Sequence, residues 1–362
     1  MYLKLMKNLS IKLFSLVLPA MALTACDGHP VFEYEGDCDP NYYVQFVYDM
    51  NLLKADAFYT QVESVDLYIF DAATHKPVAH YTESGEPLTH KDYLMPIDVK
   101  PGDYYFVAWG GLKDNEDHFT VPAYDQLTHR DDLICTMARD FDAEANIAYS
   151  NKNLHPLFHG SVTTNLPDEE GNHITTVYLT KDTNNLVFHL MHTEGELNPK
   201  DFRVVIEDKG DSHSNLKMNH DNSILADERV EHRPWGVRSG YFDKGEIQTK
   251  DGDEEQSGSG SLSDINGSMI VEFSTARLMK ENTKTRDLVV YDNNTGEEKF
   301  RFPFIGTAFY ERSMNYSNME DQEYLDRQDN YNFTVILSGR DWLAIEIVIN
   351  GWHIVDNGNV GL

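Results

Sequence analysis

The chain has 362 residues, 12% of them aromatic, and carries 60 acidic against 30 basic side chains for a formal charge of −30. So acidic a surface excludes the phosphate backbone of nucleic acid as a partner, because phosphates are gripped by Lys and Arg, and it disfavours lying flat on anionic lipid. Three cysteines without a Cys-x-x-Cys pair point away from thiol redox chemistry and from structural zinc.

The first element in chain order is a targeting segment. Lys4, Lys7 and Lys12 precede an apolar run over residues 13–23 that ends in small residues. That run is shorter than the ~18 residues a membrane-spanning helix needs, as expected of a secretory signal over residues 1–25. Its last positions, Leu23, Thr24, Ala25 and Cys26, resemble a bacterial lipobox. The resemblance implies cleavage after Ala25 and acylation of Cys26, with membrane hold growing by about 0.8 kcal/mol per buried methylene. Loss of residues 1–25 removes three lysines and no acids, so the charge becomes −33. No later run approaches ~18 apolar residues, so the body is expected to hang on a lipidated tether, residues 26–40. Cys38 and Cys135 remain, and both a disulfide and two free thiols stay open for them.

The body reads as β throughout. "VDLYIFD" alternates Val65, Leu67 and Ile69 with Asp66, Tyr68 and Phe70; "DYYFVAWGG" sets Tyr104, Phe106 and Ala108 against Tyr105, Val107 and Trp109. "NLVFHLMH" (Leu186, Phe188, Leu190), "DFRVVIED", "NFTVILS" and "LAIEIVINGW" keep the same period of two, which predicts strands with one buried face. "KPGDY" at 100–104 and "YDNNTGEE" at 291–298 have turn chemistry, the second that of a hairpin. Residues 122–137 carry a weak helical spacing at Tyr124, Leu127, Leu133 and Ile134. Residues 243–264, acidic and rich in Gly and Ser, predict a long mobile loop. Strand groups at 42–110 and 185–275 give a two-fold rhythm, with the polar run "TKDTNN" at 180–185 between them. The expected architecture is all-β, two tandem antiparallel sandwich domains over residues 41–182 and 183–362.

Catalytic motifs are missing: there is no GxSxG elbow, P-loop, HExxH or EF-hand loop. "HRDDL" at 129–133 imitates a kinase triplet without the motifs that must accompany it. His155 and His159 are four apart, but Pro156 between them argues against the helix that would align them on a metal. The acidic run from Asp251 to Glu255 lacks a calcium ligand spacing. Trp109, Trp235, Trp342 and Trp352 could form a sugar platform, yet Trp109 and Trp352 lie in strongly β runs, which favours core packing. No catalytic residue, metal or cofactor is expected, apart from covalent lipid on Cys26.

The C-terminal run "EYLDRQDNYNFTVILSGRDWLAIEIVINGWHIVDN" resembles the closing motif of the FimB-type, fimbrillin-A-associated anchor family. The matching pieces are YLDRQ–x–x–Y at 324–331, Trp342, and Ile347, Ile349 and Trp352. "NLLKADAFYTQVESVDLYIFD", "PGDYYFVAWGG", "LFHGSV", "VYLTKDTNNLVFHL" and "FSTARLM" follow the family in order. The resemblance covers most of the mature chain and departs most over residues 207–264. It implies two transthyretin-like sandwiches, an outer-membrane lipoprotein, and a non-enzymatic role fixing the base of a type V pilus and limiting its growth. The implied partners are fimbrial stalk pilin subunits, joined by strand addition, and the membrane through the lipid. Asp326, Arg327, Gln328, Tyr331 and Trp352 carry the motif, and the first four are expected to brace a strand entry rather than touch a partner.

Stalk subunits resembling this fold lose their first strand to an arginine-specific protease. This chain has no arginine between Cys26 and Arg130, so its first strand, near residues 42–48, is expected to stay in place and the joint to involve residues 343–362 or an open edge near them. The competing expectation is a surface lipoprotein that binds glycan or host through exposed, coplanar tryptophans.

Overall fold

The computed structural model describes residues 39–113, 117–192, 197–208, 217–243, 246–249, 268–340 and 342–354. Leu23, Thr24, Ala25, Cys26 and Cys38, the acidic run 251–255 and the side chain of Trp352 lie outside the described residues. The chain divides into Met1–Asp39 and Pro40–Leu362; the elements below all belong to the second unit.

Its first half supplies β1 (Asn41–Val47), the one-turn helix α1 (Phe58–Gln61), β2 (Ser64–Asp71), β3 (Pro77–Ser84), β4 (Met95–Ile97), β5 (Gly102–Gly110), β6 (Phe119–Thr120), β7 (Cys135–Met137), β8 (Asp140–Asp142), β9 (Ile147–Ser150), β10 (Phe158–Leu166), β11 (Asn172–Tyr178) and β12 (Thr180–Lys181). A three-stranded sheet, β11-β1-β4, packs on a five-stranded one, β12-β10-β5-β2-β3. Between them lies a core of Val44 and Phe46 from β1, Leu67 and Ile69 from β2, and Phe106 and Ala108 from β5. The alternate residues of the five-stranded sheet, Tyr68, Phe70, Val107 and Trp109, are buried too. They meet a second core with Leu133, Cys135, Met137 and Met218, under a small sheet that contains β6 and β7. The expectation of one buried face is therefore corrected for β2 and β5: a strand covered on both sides has no polar face to show, which is why "YYFVAWG" is almost uniformly apolar. Cys135 is a free thiol in this core, and burial pushes its pKa well above the usual thiol value.

The second half supplies β13 (Thr183–His192), β14 (Phe202–Asp208), β15 (Lys217–Met218), β16 (Val230–His232), β17 (Gly236–Asp243), β18 (Glu246–Thr249), β19 (Ser268–Ala276), β20 (Arg286–Asp292), β21 (Glu298–Phe302), two helices α2 (Phe304–Asn315) and α3 (Asp321–Arg327), then β22 (Asn330–Ser338), β23 (Leu343–Ile349) and β24 (Trp352–Ile354). A seven-stranded sheet, β18-β17-β19-β13-β22-β23-β24, faces a six-stranded one, β21-β20-β14-β16-β9-β8. Phe188 sits at the centre of their core, its ring 5.0 Å from Phe333, 5.8 Å from Phe273 and 5.9 Å from Phe304. Such aromatic pairs add about 0.5–1.5 kcal/mol each beyond the area they bury.

The two halves exchange strands. β8 and β9 come from the first half and complete the six-stranded sheet through a parallel β9–β16 pair. β15 comes from the second half and pairs with β7. In the polar run at 180–185 Asp182 alone separates β12 from β13, and Asp182, Thr183 and Asn184 are buried.

Other expectations are refined. The sandwiches are mixed rather than purely antiparallel, since β1–β11 and β13–β22 are parallel. The helical spacing at 122–137 gives two 3-10 turns, Tyr124–Gln126 and Arg130–Asp132, followed by β7. Asp132 builds the second turn by accepting from the Thr128 and His129 amides and the Thr128 hydroxyl, which is the physical role of "HRDDL". Glu246–Thr249, expected in a loop, pairs with β17 as β18. The hairpin expected at 291–298 is present between β20 and β21.

Candidate functional site

Two features are the candidates for function: the edges of the sheets, and the C-terminal motif at the junction of the halves.

β1 is not an edge. It is bonded to β11 on one side and β4 on the other, with Val44 fully buried beneath. Its position is fixed at both ends, by the Asn41 amide on the Gly171 carbonyl and the Tyr48 amide on the Asp56 carboxylate. The open edges among the described residues are β11 and β4, β12 and β3, β18 and β24, and β21 and β8 of the larger sheets. Near the last strands, β21 and the start of β23 flank a 220 Å³ cleft with Phe300, Arg301, Trp342 and Leu343 in its walls. Leu343 is 65% exposed there, whereas Trp342 packs against Phe202 with ring centroids 5.0 Å apart.

Asp326, Arg327 and Gln328 hydrogen-bond to other residues of the chain, and Tyr331 is buried. Asp326 accepts a two-pronged bond from Arg277, Nε to Oδ1 at 2.8 Å and the terminal nitrogen to Oδ2 at 2.7 Å. Gln322 donates to the same Oδ1. Arg277 also reaches the Asn222 carbonyl at 3.1 Å, and the Asn222 amide donates to Asp182 Oδ1 at 2.9 Å. Burial pushes the Asp182 carboxyl up to about 7, against the opposing pull of Arg277 and Asn222. Arg327 donates to the carbonyls of Asp49 and Asn51 at 2.9 and 3.1 Å, which ties α3 to the segment after β1 across most of the chain. Gln328 closes α3 through its amide on the Tyr324 carbonyl, and its side chain donates to the Asn330 carbonyl. Asp329 pairs with Lys181 and accepts the Asn185 amide, fixing the start of β13 against β22. Tyr331 is buried beside Phe333, and burial holds its phenol well above the usual range. Arg327 and Gln328 also line a 310 Å³ cleft with Leu52, Leu53 and Thr60.

The bonds Arg277–Asp326, Arg277–Asn222, Asn222–Asp182 and Arg327 to Asp49 and Asn51 link residues 40 to 278 positions apart, so spacing along the sequence could not pair them. The only local signal was charge: an Asp-Arg-Gln run between helix and strand has no reason to be there unless each side chain finds a partner.

Catalytic geometry is not assembled at the sequence's other landmarks. His159 is buried against Trp109, with Nε2 2.9 Å from the His220 carbonyl, and burial holds its pKa down to about 4; His155 is exposed. Among the described residues no group of three or more His, Cys, Asp or Glu side chains converges on a metal position. Trp109 is buried, Trp342 half-buried and Trp235 40% exposed, so these three form no common platform. A 660 Å³ groove beside β2, β3 and β6 is lined by Asp66, Glu83, Lys113 and several hydroxyls. No described helix is long and apolar enough to cross a membrane, a statement that does not bear on β-barrels.

Comparison with known proteins supplies the family. No curated protein sequence matches the chain. A Bacteroides thetaiotaomicron structure described as a candidate polysaccharide-binding protein is 28% identical, covers 88% of this chain and 99% of its own, and superposes with a TM-score of 0.70. A candidate adhesin from the same organism is 27% identical over 89% and 100% of the two chains, with a TM-score of 0.71. The fimbrial anchor protein Mfa2 of Porphyromonas gingivalis, 17% identical over 88% and 100%, shares the fold with a TM-score of 0.60. Residues 34–358 match the family described as fimbrillin-A associated anchor proteins Mfa1 and Mfa2, and the chain belongs to that family, whose role is that of a fimbrial anchor or adhesin-like protein of the cell envelope.

Proposed function

We propose that this protein is the acyl-tethered, non-catalytic base of a fimbrium on the outer membrane. Lipid on Cys26 holds the tether, and pilin subunits of the stalk attach by strand addition at an open sheet edge. The observation that carries this reading is the placement of β1. A strand can insert within the first sheet only if β1 leaves it, and β1 occupies the internal position between β11 and β4. No arginine lies between Cys26 and Arg130 for an arginine-specific protease to free that strand, and a cut there would sever the tether as well. A subunit that keeps its own strand offers a grip but no vacancy, so it begins or ends a filament and limits its length. The grip we favour is the β21–β23 cleft, where main-chain bonds along an edge supply hold and the exposed Leu343 supplies fit.

The test uses intact cells. Cys26→Ser should release the protein and shed attached filaments into the medium, and labelled palmitate should enter the wild-type chain alone. Absence of label in the wild type rejects the tether. Isolation from native outer membrane should bring down polymerised pilin; retention of glycan without pilin would favour the adhesin reading that the two Bacteroides relatives support.

A further inference from the structure

From the β2–β3 turn and the turn before β7 we infer a two-histidine binding site for a divalent first-row transition ion, formed by His75 and His129. The two rings are 54 residues apart in sequence, and their facing nitrogens, His75 Nδ1 and His129 Nε2, lie 3.2 Å apart. Two imidazole nitrogens at ~2.0–2.1 Å from a tetrahedral ion stand about 3.4 Å apart, so the site needs an opening of only a few tenths of an ångström.

Both histidines sit on turns braced independently of each other. Asp71 accepts from the Ala73 and Thr74 amides and the Thr74 hydroxyl, and the turn carries His75 at a left-handed φ of 59°. Asp132 braces the other turn, where His129 caps Arg130–Asp132. A backbone bond from the Arg130 amide to the His75 carbonyl, 2.9 Å, already clips the two turns together. The backbone thus fixes the two turns, and the hydrogen bond between the rings holds their nitrogens near the spacing a shared ion needs.

The far nitrogen of His129 completes the argument. Its Nδ1 lies 3.3 Å from Asp131 Oδ2. A ligating imidazole gives its lone pair to the ion from one nitrogen and donates its N–H from the other, commonly to a carboxylate. In the metal-free state a neutral His129 accepts the Asp131 amide at Nδ1 and donates from Nε2 to His75. On binding, the ring proton moves to Nδ1 and is donated to the Asp131 carboxylate in place of the bond that nitrogen accepted from the Asp131 amide, and Nε2 gives up its bond to His75 and becomes a ligand; the proton stays on the ring. The His129 side chain is 39% exposed, which leaves an entry path and room for water in the remaining positions. Imidazole suits Cu²⁺, Ni²⁺ and Zn²⁺, with Cu²⁺ tightest. The ion would cross-link the β2–β3 hairpin to the segment covering the second core, whatever the chain anchors.

The test is a Cu²⁺ titration of the full chain followed by electron paramagnetic resonance. The wild type should take up one tight equivalent whose spectrum reports two imidazole nitrogens. His75→Asn and His129→Gln, which keep polar side chains on exposed turns, should each abolish it, while Asp131→Asn should weaken it by ~10-fold or more. Since the chain holds 15 histidines, the deciding control is the His75→Asn/His129→Gln double variant. An unchanged tight equivalent in that variant, or none in the wild type, overturns the site. Thermal unfolding with and without Zn²⁺ gives a second reading: the midpoint should rise in the wild type and not in the double variant, and equal shifts in both reject the pair.

Discussion

The two halves of the body follow one plan and finish it differently. In each, the first long strand is internal and pairs in parallel with a strand from the end of the same half: β1 with β11 from Asn41↔Asn172 to Val47↔Tyr178, and β13 with β22 from Asn185↔Asn330 to His192↔Leu337. The other flank is antiparallel, β4 in one case and β19 in the other. Beyond that they diverge. β11 ends its sheet and leaves Ile174 and Tyr178 more than half exposed, whereas β22 is covered by the β23–β24 hairpin. The parallel closure draws the start and end of each half together, so neither first strand can leave without breaking two ladders. The covering hairpin decides which half shows a bare edge.

The largest effect should come from the aromatic centre of the second half. Phe188→Ala leaves a cavity among Phe273, Phe304 and Phe333 and should cost ~3–5 kcal/mol. Because β8, β9 and β15 are exchanged between halves, the loss should not stay local. Hydrogen exchange at global-unfolding amides of β1 and of β13 should accelerate together. Acceleration in β13 with β1 unchanged would break the link between the halves.

The next effect tests the buried junction by pH. The folded-state pKa of Asp182, about 7, lies above its ordinary value of 3.8. The stability this group contributes is therefore fully present below pH ~4 and lost as pH rises through about 7, with a ceiling on the order of 4 kcal/mol. Asp182→Asn keeps an acceptor for Asn222 and removes the ionisation. Urea unfolding from pH 4 to 8 should show a flatter profile for the variant and a gain over wild type at pH 8. The same slope in both proteins would mean that Asp182 stays ionised in the fold.

Much of this architecture was legible, and the gaps have physical causes. The long strands were readable because β1, β13 and β22 alternate over seven or more residues, while β2 and β5 are eight- and nine-residue runs of mostly apolar, β-branched and aromatic side chains. β7, β8 and β9 are three or four residues long, too short for any period to rise above chance. At 122–137 apolar spacing mimicked a helix because Leu127 and Leu133 both turn into the second core from separate 3-10 turns. At the junction, the motif stood out as charge out of place, but its partners did not: Arg327 binds backbone carbonyls, which every residue carries. His75 and His129 escaped for a similar reason, since only the hairpin brings residues 54 apart into reach.

Arg327 sharpens the comparison at intermediate size. Its two bonds to Asp49 and Asn51 are the direct tie between the β22 end of the second half and the β1 end of the first. Hydrogen bonds to a charged donor contribute about 1.5–3 kcal/mol, and Arg327→Ala leaves both carbonyls to water at the rim of a cleft. We expect a loss in that range by urea unfolding, with Arg327→Lys restoring part of it. A neutral Arg327→Ala would show that the exchanged strands alone hold the halves in register.

The smallest effect bears on the difference between the two endings. The β23–β24 turn is Asn350–Gly351, with φ of 48° and 86°, the two-residue geometry that matches the twist of a hairpin and that glycine adopts without strain. A β-branched side chain at such a φ costs about 1–2 kcal/mol, so Gly351→Val should loosen the hairpin while the body stays folded. Hydrogen exchange should then quicken at the β23 amides that pair with β24, at Val348 and its neighbours, while β13 and β1 keep their rates. β11 provides the reference within the same molecule, because among the described residues its outer side pairs with no strand. If β23 in Gly351→Val approaches the exchange of β11, the hairpin is what separates a covered edge from a bare one. If β23 keeps its protection, β24 contributes nothing to it, and the two halves end alike.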